Sequence, residues 1–173
     1  MELWDAYDAD GNLAGRDLLR GRPVPDGLYH LVASVLVEHQ DGTYLLMRRD
    51  PRKPNWPGVF EASAGGSALK GETAAQAARR ELREETGITV GQFTPLYEER
   101  GSHTLYRGFL CRTDWPKEAI ALQEGETVEF CWVDRKTLLE MAARRPRILV
   151  AQTGVLAYLN EPAFKKEKSE KIP

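Results

Sequence analysis

Gly65-Gly66-Ser67-Ala68-Leu69-Lys70-Gly71-Glu72-Thr73-Ala74-Ala75-Gln76-Ala77-Ala78-Arg79-Arg80-Glu81-Leu82-Arg83-Glu84-Glu85-Thr86-Gly87-Ile88 is the stretch whose reading decides the fold. It opens as a glycine-rich loop and continues as a helical pattern. Gly71, Glu72 and Thr73 supply N-terminal residues for the helix, with Glu72 favoured near its positive end. Gly87 supplies a stop, because glycine reaches left-handed dihedrals without a Cβ clash. The thirteen residues between contain no Pro and no Gly, and four are Ala, which predicts a helix by intrinsic propensity.

The spacing on that helix carries chemistry. Glu81, Glu84 and Glu85 stand at i, i+3 and i+4, so their carboxylates emerge on one face. Ala75, Ala78 and Leu82 form a second stripe and are the expected core face. Ala74 and Ala77 precede the carboxylates on their own face, leaving room for another segment or a ligand. Three carboxylates this close repel one another. Arg80, at i−4 from Glu84, offsets part of that, and a divalent cation would offset more. Hard oxygen ligands with open positions suit Mg²⁺ or Mn²⁺. The bland alternative is a solvated acidic helix face.

The stretch as a whole matches the Nudix box, Gly-x5-Glu-x7-Arg-Glu-U-x-Glu-Glu-x-Gly-U, where U is aliphatic. Gly66, Glu72, Arg80-Glu81-Leu82, Glu84-Glu85, Gly87 and Ile88 fill all nine fixed positions over twenty-three residues. The chain therefore resembles a Nudix hydrolase. The resemblance implies an α/β/α sandwich with a mixed β-sheet. It also implies a metal-dependent hydrolase of nucleoside diphosphates linked to another moiety. It further implies that Glu81, Glu84, Glu85 and the Gly65 carbonyl hold Mg²⁺, with Mn²⁺ as a substitute. Gly66, Glu72, Arg80 and Gly87 are then structural members of the box, with Glu72 and Arg80 orienting the glutamates. A further carboxylate after the box is common in the family. Glu124, Glu126 and Glu129 are the local candidates, and Glu126 fits the region best. Glu81 is the first choice as general base and Glu126 the second.

Working outward towards the N-terminus, Glu61 to Gly65 reads as a short strand feeding the box. Arg49 to Phe60 holds three prolines and a glycine, so it reads as a long loop, a common place for function. Arg48, Arg49, Arg52 and Lys53 cluster there, and such cations suit phosphate oxygens. Arg48, Arg52 and Lys53 are candidate substrate contacts, and Trp56 and Phe60 could stack on a base. For each cation the alternative is a solvated basic loop. Tyr29 to Val37 is nearly continuous apolar, as expected of a strand covered on both faces. Asp41-Gly42 turns it into Thr43–Arg48 as a hairpin partner. His30 reads as a hydrogen-bonded structural histidine. Residues 2–20 read as a short hairpin around Asp10-Gly11, with Leu3, Trp4, Tyr7, Leu13, Leu18 and Leu19 forming its apolar face. It could pack on its own chain or on a second subunit. The Pro- and Gly-rich segment 20–27 links it to the main body.

Towards the C-terminus, Phe93–Glu99 and Ser102–Cys111 read as strands, Thr113–Ala121 as a loop and Glu126–Val133 as a final strand. Asp134 should cap a helix reaching Arg144. A last helix is expected near Ile148–Leu159, and Lys165–Lys171 as a frayed tail. The expected organisation is a hairpin and linker over residues 1–27, one domain over 28–162 and a tail over 163–173.

Composition narrows the function classes. With 24 Lys and Arg against 26 Asp and Glu, the formal net charge of −2 argues against general nucleic-acid binding. No run approaches the ~20 apolar residues of a membrane helix, and the acidic start lacks the apolar core of a signal peptide. A cytoplasmic monomer or homodimer acting on a small-molecule diphosphate is the expectation. Cys111 and Cys131 lie in apolar runs and are expected to be buried reduced thiols.

A second branch of the resemblance bears on the chemistry. Trp56-Pro57-Gly58-Val59-Phe60, Gly65-Gly66 and His30 are also similar to isopentenyl-diphosphate isomerases of the same fold. That chemistry needs a thiol beside the box glycine and a histidine-rich metal site. Here Gly65 and Ser67 flank Gly66, and the box is complete. A non-catalytic nucleotide-binding regulator is the third reading, but such a protein would be expected to have lost a box carboxylate.

Overall fold

The computed structural model describes residues 2–143, 149–150 and 153–160. At its centre lies β3 (His30–His39), whose side chains alternate between two cores. Leu31, Ala33, Val35 and Val37 face one cluster, and Leu36 faces the other. Its neighbours β4 (Tyr44–Arg49) and β8 (Thr104–Thr113) alternate in the same way. Leu45, Met47, Phe109 and Cys111 join the first cluster, while Tyr44, Leu46 and Leu110 join the second. Because strand side chains alternate with a period of two, an apolar run must be covered on both faces. The continuous hydrophobicity of 29–37 has this cause.

α1 (Ala74–Thr86) covers one face of the sheet, and α2 (Arg135–Ala143) with α3 (Thr153–Asn160) covers the other. The result is the expected α/β/α sandwich. The sheet is mixed. β3 runs parallel to β8 from His30↔Thr104 to His39↔Thr113, and β7 (Gln92–Arg100) is antiparallel to β8 at the edge. On the other side, β4 pairs antiparallel with β5 (Phe60–Ala62) and with β9 (Thr127–Val133).

Three expectations are corrected. First, β3 and β4 are joined by a tight turn but do not form a regular hairpin, because their only paired position is Glu38↔Tyr44. The strands then diverge, and the gap is filled from the box side. Second, the segment before the box is two strands rather than one. β5 lies on β4 and β6 (Ala64–Ser67) lies on β3. Ser63 makes the crossing at φ +88°, a conformation uncommon for a residue with a side chain. Its buried hydroxyl accepts from Val37 N at 2.9 Å and donates to Leu45 O at 2.9 Å. Third, the expected helix from Ile148 begins later. Leu149–Val150 is a short strand, β10, parallel to β5, and α3 starts at Thr153. An open strand edge on β5 offers backbone pairing that overrides a local helical pattern. Ile148 itself, Arg144 and the expected tail lie outside the described residues.

Asp134 does cap α2, its carboxylate accepting from Thr137 N at 2.7 Å. The N-terminal β1 (Leu3–Tyr7) and β2 (Leu13–Leu19) pair antiparallel as a separate two-stranded sheet. Its apolar face is Trp4, Ala6 and Leu18, packed against Ala14, Val24 and Leu28. Leu3 and Leu13 instead point outward, as strand alternation requires. The hairpin packs on its own chain. Tyr7 bridges Tyr29, and Trp4 stacks on His30 with ring centroids 4.5 Å apart. His30 also meets the His103 carbonyl oxygen through Nδ1 at 2.9 Å, so it is the hydrogen-bonded histidine expected. Burial holds its imidazole pKa below the ordinary value.

Candidate active site

α1 begins where Thr73 and Gln76 cap each other. The Thr73 hydroxyl accepts from Gln76 N at 3.3 Å, and the Gln76 side-chain oxygen accepts from Thr73 N at 2.8 Å. This is a reciprocal capping box. Glu72 stands just before the cap and accepts from Leu69 N at 2.9 Å. Gly87 closes the helix at φ +78°, its N–H donating to Arg83 O at 2.9 Å.

The buried stripe of α1 is Ala77, Ala78, Leu82, Glu85 and Thr86, with Ala74 packed at its margin. Ala75 is exposed, which corrects the expected core stripe of Ala75, Ala78 and Leu82. Ala77 is a core residue, so of the two expected neighbours it is another segment, the sheet, that its small side chain admits. The apolar and acidic faces therefore adjoin, and Glu85 lies on their boundary at 6% exposure.

Arg80 is the hub of the acidic face. Its Nε and Nη2 donate to Glu72 at 2.8 and 2.9 Å, and its Nη1 donates to Glu81 at 2.7 Å and Glu84 at 3.2 Å. Nη2 also reaches the Ser67 carbonyl oxygen at 3.1 Å. One guanidinium thus ties three carboxylates to the strand that precedes them. Hydrogen bonding to Arg80 holds the Glu72 pKa below the usual glutamate value. For Glu81 burial outweighs the same partner, and its pKa is raised.

Glu81 lies directly against Gly66, where a Cβ would overlap its carboxylate. Glycine at 66 is what permits this approach. Glu85 accepts from Gly65 N at 3.3 Å. Its pKa is pushed well above the usual glutamate range by burial, then by the nearby charges of Glu61 and Glu81, with Glu126 adding further. Glu61, on β5, pairs with Arg49, yet burial still raises its pKa. Glu126, before β9, pairs with Lys53. Four carboxylates from three separate segments thus influence one point.

Glu81, Glu85 and Glu126 line a cleft of about 310 Å³, while Glu61 bears on it through its charge on Glu85. Gly65, Gly66, Ser67, Leu69, Arg80, Glu81, Glu84, Glu85, Gln123 and Glu126 line it from the main body. Glu2 and Arg20 reach it from the N-terminal hairpin. Arg48, Arg52, Lys53 and Trp56 do not line it. Arg48 donates to Glu129 at 3.0 Å and to the Gly58 carbonyl oxygen at 3.2 Å. Arg52, largely exposed, is bound to the buried Asp50, whose carboxyl that guanidinium holds down at about 2. Lys53 approaches the cleft through Glu126. Trp56 is half exposed, at φ +53°. Glu61, Glu2 and Arg20 were missed in the sequence. The one signal for Glu61 is an acid set in a short strand beside a buried helix face.

Among the described residues, no three acidic, histidine or cysteine side chains converge closely enough to form a metal cage. Arg80 pairs with Glu81 and Glu84, while Glu61 and Glu126 pair with Arg49 and Lys53. The donor set nevertheless fits a hard divalent cation. It is all oxygen, partly buried and rich in like charge, and the Gly66 backbone lies within reach of Glu81. Both cysteines are free, and neither lines the cleft.

The fold and cleft define a three-layer α/β protein with an acidic, helix-borne site. The NUDIX domain model matches residues 28–152, and the chain belongs to that family. An uncharacterised Nudix hydrolase of Listeria monocytogenes is 42% identical over 90 residues, covering 52% of this chain and 53% of the relative. The matched part is thus about half the length of that relative. The isopentenyl-diphosphate Delta-isomerase of Klebsiella pneumoniae is 29% identical over 124 residues, covering 68% of this chain and 67% of the isomerase. The crystal structure of DR0079 from Deinococcus radiodurans superposes with a TM-score of 0.73 at 21% identity, over 91% of this chain and 97% of that one. At that identity the likeness concerns the fold. Among the described residues, no helix is long and apolar enough to cross a membrane.

Proposed function

We propose that this protein is a Mg²⁺-dependent hydrolase that cleaves the diphosphate bond of a nucleoside diphosphate linked to another moiety. The observation that carries the reading is that Glu81, Glu84, Glu85 and Glu126 line one cleft beside a complete box helix, with the charge of Glu61 acting on Glu85 from β5. Repulsion of this kind is tolerated where a cation answers it. Glu81, Glu84 and Glu85, with the Gly65 carbonyl oxygen, are the residues proposed to hold the ion. Bound there, Mg²⁺ or Mn²⁺ would neutralise the diphosphate oxygens and lower the pKa of the attacking water.

The chain's own groups do the rest. A water oxygen bonds to phosphorus as the bridging P–O bond breaks, and a carboxylate takes the water proton. Glu81 is the first candidate for that role and Glu126 the second. Arg80 orients Glu81 and Glu84 through its shared fork. Glu72 fixes Arg80 in turn. Lys53, held at Glu126, is the member of the preceding loop best placed to meet an anionic substrate.

The isomerase reading requires a thiol at the reacting carbon. Cys111 is buried in the sheet, and position 65 is glycine, so the cleft favours hydrolysis. A panel of nucleoside diphosphate sugars, dinucleotides, coenzyme A, oxidised nucleotides and isopentenyl diphosphate tests the choice. The expected result is release of a phosphorylated product, lost with a chelator and restored by Mg²⁺. Turnover undiminished in excess chelator, or double-bond migration without hydrolysis, would overturn it.

A further inference from the structure

The N-terminal hairpin lies outside the segment matched by the family model, yet it forms part of the cleft through Glu2 and Arg20. Its position is fixed against the box. Lys70 N donates to Leu3 O at 2.9 Å, Gly71 N donates to Asp5 at 2.7 Å, and Lys70 Nζ pairs with Asp17 at 2.6 Å. Residues 70 and 71 are the turn that leads directly into α1. Trp4 stacked on His30 and the buried Leu18 anchor the other side. The end of β2 is therefore held at a set distance from the carboxylates.

Among the described residues, two cations line the cleft, Arg20 and Arg80. They are in different states. Arg80 is 17% exposed, and all three of its nitrogens are engaged, by Glu72, Glu81, Glu84 and Ser67 O. Arg20 is 61% exposed, and among the described residues its guanidinium makes one ion pair, Nη1 to Glu2 Oε2 at 2.8 Å. Glu2 is itself steadied by Trp4, whose indole Nε1 donates to its other oxygen at 2.9 Å. Among the described residues the remaining donors of Arg20 have no protein partner, and Glu81, Glu84, Glu85 and Glu126 line the same cleft.

We propose that Arg20 is a substrate-binding residue of this cleft, selecting molecules that carry a phosphoryl group beyond the scissile diphosphate. The inference rests on the hydrolase reading for the identity of the diphosphate. A guanidinium fork matches phosphate oxygens in a bidentate way. Glu2 acts as the internal competitor that holds the fork until an anion replaces it. A cleft of about 310 Å³ lies at the small end of ligand sites, and Arg20 and the box carboxylates line the same one. Specificity then comes from a segment added to the family domain, while the box acts on the bond that breaks.

The test compares Arg20→Ala, Arg20→Lys and Glu2→Gln with wild type on a nucleoside diphosphate and the matching triphosphate. Arg20→Ala should raise KM for the triphosphate about tenfold, with kcat changed less than twofold and the diphosphate little affected. That pattern marks a contact made equally in ground and transition states. Arg20→Lys should fall between. Glu2→Gln should lower KM for the triphosphate, which a merely structural Glu2–Arg20 pair would not do. Calorimetric titration with methylene-bridged di- and triphosphate nucleotides, whose P–C–P link water does not cleave, reads the same contact without turnover. If wild type hydrolyses nothing but loses triphosphate affinity in Arg20→Ala, the hydrolase reading falls and the Arg20 site stands. If hydrolysis proceeds and Arg20→Ala leaves both KM values and both affinities unchanged, or Glu2→Gln weakens binding as Arg20→Ala does, the Arg20 site is overturned.

Discussion

The two acidic groups around the cleft neutralise their charge in opposite ways. Around α1, Glu72 just before the helix and Glu81 and Glu84 on it share one guanidinium, that of Arg80. On the side of the proline-rich loop, Glu61 and Glu126 each have a cation of their own, Arg49 and Lys53. The first arrangement is local, within thirteen residues of the sequence. The second joins a pair 12 residues apart, Arg49 and Glu61, to one 73 residues apart, Lys53 and Glu126. A shared hub fixes three carboxylates relative to one another, which suits a site whose geometry must not vary. Separate pairs can open one at a time, which suits a loop that yields to a ligand.

The sharpest way to break this contrast is to remove the hub. Arg80→Ala strips three carboxylates and a backbone carbonyl of one partner at once, at 17% exposure. Breaking a partly buried charge network costs about 3–5 kcal/mol, and a urea unfolding midpoint should register a loss of that order. Arg80→Lys should recover only part, because an ammonium cannot reproduce the fork. A loss below ~1 kcal/mol would mean the acids are individually solvated and the hub is not a hub.

Glu85→Gln should act with the opposite sign and a smaller size in metal-free protein. The Glu85 carboxyl has its pKa raised in the fold by burial and by Glu61 and Glu81. The unfolded chain therefore gives up this proton first as pH rises. Stability is fully present below the ordinary glutamate pKa and is lost as pH climbs towards the raised value. Gln removes that loss. Thermal melts in chelator should find the variant more stable than wild type at pH 8, with the advantage gone by pH 4. A variant destabilised at both pH values would mean that Glu85 is held mainly by its bond to Gly65 N.

Lys53→Ala should be the mildest. Its side chain is 20% exposed and that of Glu126 is 35% exposed, so the pair contributes within about 0.2–1 kcal/mol. The measurable change should be in KM, rising more than kcat falls and shrinking as salt screens exposed charge over a Debye length of ~8–10 Å. Equal KM values at low salt would return Lys53 to a structural latch on Glu126.

The same contrast explains what could be read from the sequence. The box helix was legible with its caps because its signals lie within one stretch: Thr73 before, Gly87 after, and glutamates at helical spacing between. The acid Glu61 and the cation Arg20 were not, because their roles depend on pairing registers such as Met47↔Glu61 and Leu3↔Leu19. Ala75 was misread for a related reason. Two stripes a single residue apart look equivalent on paper, and only the sheet beneath decides which is buried. The two-sided burial of β3 was legible, since continuous apolar strands have few other fates. Its parting from β4 was not, since a tight Asp41-Gly42 turn ordinarily announces a paired hairpin.

Ser63 gives that parting a dynamic meaning. Its hydroxyl spans from Val37 on one strand to Leu45 on the other, at the place where the two halves of the sheet separate. Deuterium can reach the Val37 amide only when that small bridge lets go. The exchange rate of this one proton therefore acts as a clock for the opening of the sheet along its seam, deep in a molecule whose other central amides report on whole backbone ladders. The protein carries, in a single oxygen atom, its own gauge of how often its two halves come apart.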